Sequence, residues 1–273
     1  MTKNTPITYE TTTITPAIAE AMLAKNTHNR SVKQSNLKKV MRALQNGEWK
    51  LNGEAVKVAT DGMILDGQHR LLACIQTGIS FDTFVIRGLA SETQDTMDTG
   101  SPRSAGDVLK LRGESNYVPL AAIAKKVNIY TRGGFRAATV GSTTITSPEI
   151  VRTVDMNPGL RDIAKRAQSD TTRASVPAGL LGLLMFVFYD IDGDDAEFFF
   201  DRLAGGEHLA KGDPIYELRA RLKEVKDIRG TKSQTFMAAI AIKAWNKYRD
   251  GETISLLKYT VGGANPEKFP EPK

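Results

Sequence analysis

Apolar and polar positions in the first part of the chain alternate between helical and extended spacing. Thr15-Pro16 reads as an N-cap followed by proline at the first helical position and opens a helix through Leu23. Leu37, Val40, Met41 and Leu44 follow the i, i+3, i+4, i+7 spacing of an amphipathic helix, with Ser35 as its cap and Gly47 as its stop. Trp49 and Leu51 lead into a short strand over Ala55–Ala59, and Asp61-Gly62 marks a hairpin turn into a return strand over Met63–Leu65. A helix then runs to Gly78, a strand covers Thr83–Ile86, and Ser91-Glu92-Thr93-Gln94 reads as a capping box that opens another helix. Asp98-Thr99-Gly100 is a turn, and Ser104 to Leu111 a further short helix.

From Tyr117 onward strand signals mostly vanish. Pro119–Tyr130 reads as helix, Arg132–Thr146 as a glycine- and threonine-rich connection, and Ser147-Pro148-Glu149 as a helix start with serine as cap. Apolar or amphipathic segments follow at Gly159–Ala167, Val176–Tyr189, Ala196–Leu203, Pro214–Val225 and Thr235–Tyr248, the second being apolar enough to centre a core. Asn265–Lys273, with three prolines, reads as a loose tail. The expected organisation is an α/β (α+β) domain over residues 1–112, a mainly α-helical domain over 113–262, and a flexible tail over 263–273.

The 273 residues, 41% hydrophobic and 25% charged, are ordinary for a globular protein with a real core. The single cysteine, Cys74, excludes an internal disulfide framework and a cysteine-based zinc site, and its apolar neighbours make it a buried hydrophobe. The N-terminus is polar and threonine-rich, unlike a signal peptide, and Val176–Tyr189 falls short of the roughly 20 residues that span a bilayer. The expected location is the cytoplasm, away from membrane.

Charge changes the picture. The net charge of +6 leans toward polyanion partners. Lys25, Arg30, Lys33, Lys38, Lys39, Arg42 and Lys50 stand against one acid, Glu48, and Lys38, Lys39 and Arg42 fall on the open face of the Leu37–Leu44 helix. This face reads either as a solvated surface or as a contact for nucleic-acid backbone through Arg30, Lys33, Lys38, Lys39 and Arg42. Lys125, Lys126, Arg132 and Arg136 make a second acid-free stretch.

The candidate chemistry sits at Ile64-Leu65-Asp66-Gly67-Gln68-His69-Arg70-Leu71-Leu72-Ala73. Apolar residues feed into a glycine, polar groups follow, and an apolar helix begins at once. Such a strand–turn–helix junction directs backbone N–H groups and the positive end of a helix dipole at one spot, a seat for phosphate. Arg70 adds a forked cationic donor, and His69 is either a proton shuttle or a hydrogen-bond donor to phosphate. Glu54 and Asp66 are candidates for a general base or a magnesium-holding pair, or else for loop and turn structure. Asp190-Ile191-Asp192-Gly193-Asp194-Asp195 lacks the spacing of a calcium loop and reads as an acidic interhelical loop.

The segment from Gly53-Glu54 through Asp66-Gly67-Gln68-His69-Arg70 resembles the N-terminal domain shared by ParB and sulfiredoxin. It is most similar to the DGQHR-type branch of ParB-like phage and bacterial accessory proteins. Asn26-Thr27-His28-Asn29-Arg30, Asn46-Gly47-Glu48-Trp49, Asn52-Gly53-Glu54, Asp98-Thr99-Gly100 with Arg103-Ser104, and Lys243-Ala244-Trp245-Asn246 extend the likeness. The resemblance implies nucleotide binding (ATP, ADP or CTP, with magnesium), with Gly67, Gln68, His69, Arg70 and Arg103 at the phosphates. Gln68 stands where sulfiredoxin has its reactive cysteine, so thiol chemistry is absent, and the acid of ParB's Gly-Glu-Arg-Arg is missing too. The resulting expectation is a DNA-associated, nucleotide-binding accessory protein in a bacterial host cell. The alternatives are a phosphoryl-transfer or nucleotide-hydrolysing enzyme (kinase, NTPase or nuclease), with Glu54, Asp66 and His69 as catalytic groups, and a non-catalytic module that binds a host protein. For the helical half, forming a homodimer, reading DNA and gripping a host protein all stay open.

Overall fold

The computed structural model describes residues 6–26, 31–97, 103–140, 143–225, 231–260 and 267–273. The chain is a mixed α/β protein that divides into two units, residues 1–102 and 103–273. The division precedes the expected boundary at 112, because helix Ala105–Leu111 packs against the helices that follow it.

The first unit carries a four-stranded sheet ordered β1(Thr8–Ile14)–β4(Phe81–Leu89)–β2(Ala55–Ala59)–β3(Ile64–Asp66). β1 and β4 run antiparallel, β2 and β4 parallel, and β2 and β3 form the expected hairpin, with Met63 N–H donating to Asp61 Oδ1 at the turn. β1 is an element that hydrophobic patterning does not announce. Its threonines supply β propensity, but as an edge strand it buries only Ile14.

Helices α1(Pro16–Leu23) and α2(Gln34–Gln45) each pack against α3(Gln68–Thr77). Thr15 caps α1 as expected, its side chain accepting from Ile18 N. α2 differs at its start: it begins at Gln34 after Lys33, with no side-chain cap, so Ser35 lies inside the first turn. Leu37, Leu44, Leu71 and Cys74 close one core with Val56, Val58, Ile64 and Val85. Cys74 is fully buried there, and burial pushes its thiol up, which keeps it inert. Ser91–Thr96 forms a 3-10 turn without a side-chain cap instead of a capped α-helix. The Asp98-Thr99-Gly100 turn lies outside the described residues.

The second unit is all helical: α4(Ala105–Leu111), α5(Tyr117–Val140), α6(Ser147–Met156), α7(Leu160–Ala174), α8(Ala178–Ile191), α9(Gly193–Gly205), α10(Pro214–Val225) and α11(Thr231–Arg249). α5 runs through the stretch expected to be a connection as far as Val140, bending at Gly134, whose φ is 71°. α6 is capped by Thr146, one residue before the expected Ser147, in a reciprocal capping box with Glu149. The acidic stretch after α8 is a helix cap: Asp192 Oδ1 accepts from Asp195 N, and Arg249 pairs with both carboxylates. In the second basic stretch Lys125, Arg132 and Arg136 are exposed, whereas Lys126 turns inward to Ala138 O and Gln234 Oε1, and Arg132 pairs with buried Glu149.

α8 is the centre of this core, with Leu180 through Met185 buried along with Val187 and Phe188. Phe188 stacks on fully buried Trp245 of α11 at 4.4 Å and meets Phe199 and Phe200 of α9. Among the described residues no single helix is long and apolar enough to cross a membrane. The expectation of a loose tail is corrected for residues 267–273, which are tied to α5 and α11 by ring contacts and hydrogen bonds.

The α5–α8 contact is close enough to be testable. A Cβ at Gly182 would overlap Ile123 Cδ1 and Cγ1 of α5. Gly182→Ala is therefore expected to destabilise the helical unit by about 1–3 kcal/mol through overpacking. A lowered urea midpoint for loss of helical circular dichroism checks it.

Candidate functional site

The turn at Gly67 organises the first unit's chemistry. β3 ends at Asp66, Gly67 takes φ +101°, and α3 begins at once, with Arg70 N–H and Leu71 N–H closing onto Gly67 O at 2.9 and 3.0 Å. A side chain at Gly67 would meet Val56 Cγ2 at 2.9 Å and Val56 Cα at 3.3 Å, so β2 leaves room for hydrogen only. The same absence of a side chain leaves the first turn of α3 without a side-chain cap.

A cleft of about 500 Å³ opens at this turn. Gly67, Gln68, His69, Arg70, Asp66 and Glu54 all line it, together with Lys39 and Asn36 of α2, Trp49 and Asn52. Two helices that begin without side-chain caps thus contribute first-turn residues to one cavity, Asn36 from α2 and Gln68 to Arg70 from α3. Both helix N-termini carry partial positive charge. α2 has no acid in its first turn, and exposed Lys39 adds a full charge one turn on.

Arg70 departs from the simple picture of a free fork. Its Nη2 donates to Ala55 O at 2.9 Å and to Asp66 Oδ2 at 3.1 Å, and its side chain is only 11% exposed. Half of the guanidinium is therefore structural, tying α3 to the start of β2. Its Nη1 is buried and lacks a hydrogen-bond partner, the one such side-chain atom among the described residues of the first unit. A buried donor of a charged group left unmatched costs about 1–3 kcal/mol or more.

Asp66 faces two cations, Arg70 and, at 3.5 Å, Lys57. A magnesium ion held here would be a third positive charge against the same carboxylate. Among the described residues there is also no group of three or more metal-ligating side chains. Asp66, paired with both cations, acts as the counter-ion of the turn. Glu54 is exposed, and its backbone is fixed by Asn52 Oδ1 and Thr83 Oγ1 while its carboxylate pairs with none of the described residues.

His69 Nε2 accepts from Lys33 N–H at 3.1 Å. That bond puts the ring hydrogen on Nδ1 and joins the start of α2 to the start of α3. The remaining basic candidates disperse. Lys33 and Lys38 are exposed on or beside α2, Arg42 is half-buried, and Arg30 lies outside the described residues. Arg103 belongs to the second unit, exposed beside the Ser104 cap of α4. There the Ser104 hydroxyl and amide hold Asp107 below the usual carboxylate range, with Lys110 and Arg103 adding to the effect.

Sequence reasoning missed Trp49 as a residue of the cleft. Trp49 is held by an edge contact to Phe81 at 5.0 Å and by Nε1–H donating to Asp82 O at 2.8 Å, and its ring lines the cleft. Asn36 and Asn52 line the same cleft. Trp49 and Asn52 stand in the motif segments quoted above, yet nothing local says that they face the Gly67 turn. Comparison with models of known protein families, with characterised proteins and with solved structures gives no match.

Gly67→Ala combines an unfavourable positive φ with the Val56 contact. It is expected to destabilise the first unit by about 1–3 kcal/mol. Trp49 is the only tryptophan of that unit, so urea unfolding followed by its fluorescence, in a Trp245→Phe background, reads the loss directly.

Proposed function

We propose that the first unit is a nucleotide-binding domain of ParB/sulfiredoxin-like type in a DNA-associated accessory protein of phage or bacterial origin. The carrying observation is the convergence on one cleft of two helix starts lacking side-chain caps, the Lys39 ammonium and the Arg70 residue. Each of these favours a polyanion, and together they suit phosphate oxygens. The cleft lining also includes Trp49, Asn36 and Asn52, residue types whose ring and amide groups suit a nucleobase. The cleft volume of about 500 Å³ lies in the range of small-ligand sites. Gln68 contributes its backbone, and no thiol is involved.

Lys38 and Lys39 on α2 supply backbone-type DNA contact beside the cleft. Lys39 borders the cleft as well, so a nucleotide in the cleft and a DNA strand along α2 compete for its charge. A hydrolytic reading has one observation in its favour, the Glu54 carboxylate in the cleft, unpaired among the described residues, which could orient an attacking water.

Titrating ATP, ADP and CTP while following Trp49 fluorescence tests the binding reading. Saturable quenching is expected, with Lys39→Ala weakening affinity about tenfold, the effect of one charge-assisted contact of about 1.4 kcal/mol. No change in fluorescence and no heat of binding up to about 1 mM, an affinity of only about −4 kcal/mol, would overturn it. Turnover lost in Glu54→Ala with binding retained favours the enzyme. For DNA, Lys38→Ala is expected to lower the slope of log affinity against log salt by about one, the signature of one lost phosphate contact.

A further inference from the structure

The bend in α5 makes a cavity. Gly134 takes φ 71° and ψ −176°, outside the helical range, and breaks the helix there. In a straight helix Lys126 and Ala138 would stand about 18 Å apart along the axis, yet Lys126 Nζ donates to Ala138 O at 2.9 Å. The two arms of α5, with Gln234 of α11, thus enclose a space of about 330 Å³. Ala122, Ile129 and Val140 give it apolar walls, and no acid is among its lining residues.

Lys126 lines this space without a counter-ion. Its Nζ donates to two neutral acceptors, Ala138 O and, at 2.8 Å, Gln234 Oε1, and among the described residues no carboxylate pairs with it. The charge that acts on it is a second ammonium, that of exposed Lys125, which also lines the cavity. Burial first, and then Lys125, push the Lys126 amine down to about 8. At pH 7.5 its share of free amine is therefore about a hundredfold above that of an ordinary lysine. Thr139 is already engaged, donating to Arg136 O and accepting from Thr235 Oγ1. Gln234 gives Lys126 only its Oε1, which leaves its Nε2 hydrogens as donors. A mere tie between the arms of α5 needs a hydrogen-bond donor; it needs neither open space beside the side chain nor a neighbouring cation.

We propose that Lys126 is an amine nucleophile that forms an imine with a small oxo-acid, a carbonyl compound bearing a carboxylate, held in this cavity. Desolvation and an adjacent cation are the two means by which a lysine is activated for attack on a carbonyl. The volume lies at the small end of ligand sites. The Lys125 ammonium and the Gln234 amide, with no acid opposing them, select an anionic partner. The neutral Nζ adds its electron pair to the carbonyl carbon and forms a C–N bond. One of its hydrogens passes to the carbonyl oxygen, which takes a second proton from solvent and leaves as water with the C–O bonding pair. The product is a protonated imine at Lys126, and no oxidant or reductant takes part.

Trapping on the unmodified full-length chain tests this. Glyoxylate or, as a neutral control, acetaldehyde is added with cyanoborohydride, and each lysine's modification rate is read by peptide mass spectrometry. Exposed Lys258 is the internal reference. With glyoxylate at pH 7.5, Lys126 is expected to react at least about tenfold faster than Lys258. Its rate should level off above about pH 8, while that of Lys258 keeps rising toward about pH 10, so the ratio falls as pH rises. Lys125→Met should move the Lys126 profile to higher pH and reduce its preference for glyoxylate over acetaldehyde, neither of which a purely structural lysine would show. Lys126 modified no faster than Lys258 at pH 7.5, or a rate that follows the Lys258 profile, would overturn the proposal. Equal preference for glyoxylate and acetaldehyde at Lys126 would also overturn it, since the cavity would then not select an oxo-acid.

Discussion

The cleft depends on one steric constraint: β2 and α3 approach so closely at Gly67 that nothing larger than hydrogen fits between the turn and Val56. That approach sets the entry of α3, and with it the direction in which the first-turn amides point. It also determines what Arg70 does, since the helix start brings its guanidinium within reach of Ala55 O and Asp66. A looser turn would free the guanidinium but misplace the amides. The observed arrangement ties one arm of Arg70 into the fold and leaves the other buried without an acceptor.

Electrostatics follow from the same geometry. Asp66 balances Lys57 and Arg70 inside the turn, which lets two cations sit near two helix N-termini without a destabilising excess of positive charge. The α2 and α3 starts and Lys39 contribute lining residues to the cleft. His69 joins the two helix starts through Lys33 N–H, so the two are mechanically coupled. Support for an anion site therefore comes from the collective arrangement more than from any single residue.

Much of the fold was legible in local pattern. The α1 cap, the β2–β3 hairpin, the α3 helix ending at Gly78, and the central place of α8 each rest on residues adjacent in sequence, where spacing and capping chemistry act directly. What escaped depends on partners distant in sequence. β1 is polar and becomes a strand because β4 accepts it along seven residue pairs. Trp49 faces the cleft because Phe81 and Asp82 hold its ring. The proline-rich end reads as loose until Phe135, Trp245 and Asn246 are brought to it from more than 20 residues away. For the candidate site, the Asp66–Arg70 motif does fall on a strand–turn–helix junction, but the internal pairing of Arg70 and Asp66 could not be told from the motif alone. Each of those two residues is able to serve a ligand or the fold, and only the position of Ala55 and Lys57 decides between them.

The backbone amides of Gln68 and His69 report on the central claim more directly than any variant, because no substitution is needed. Their 15N–1H resonances, followed while ATP is added and then while adenosine is added, separate phosphate binding at the α3 start from contact with the base. The account predicts large saturable shifts for Gln68, His69 and the Arg70 side chain with ATP, and little change at those positions with adenosine. Resonances that stay still with ATP, or that move equally with adenosine, would contradict it.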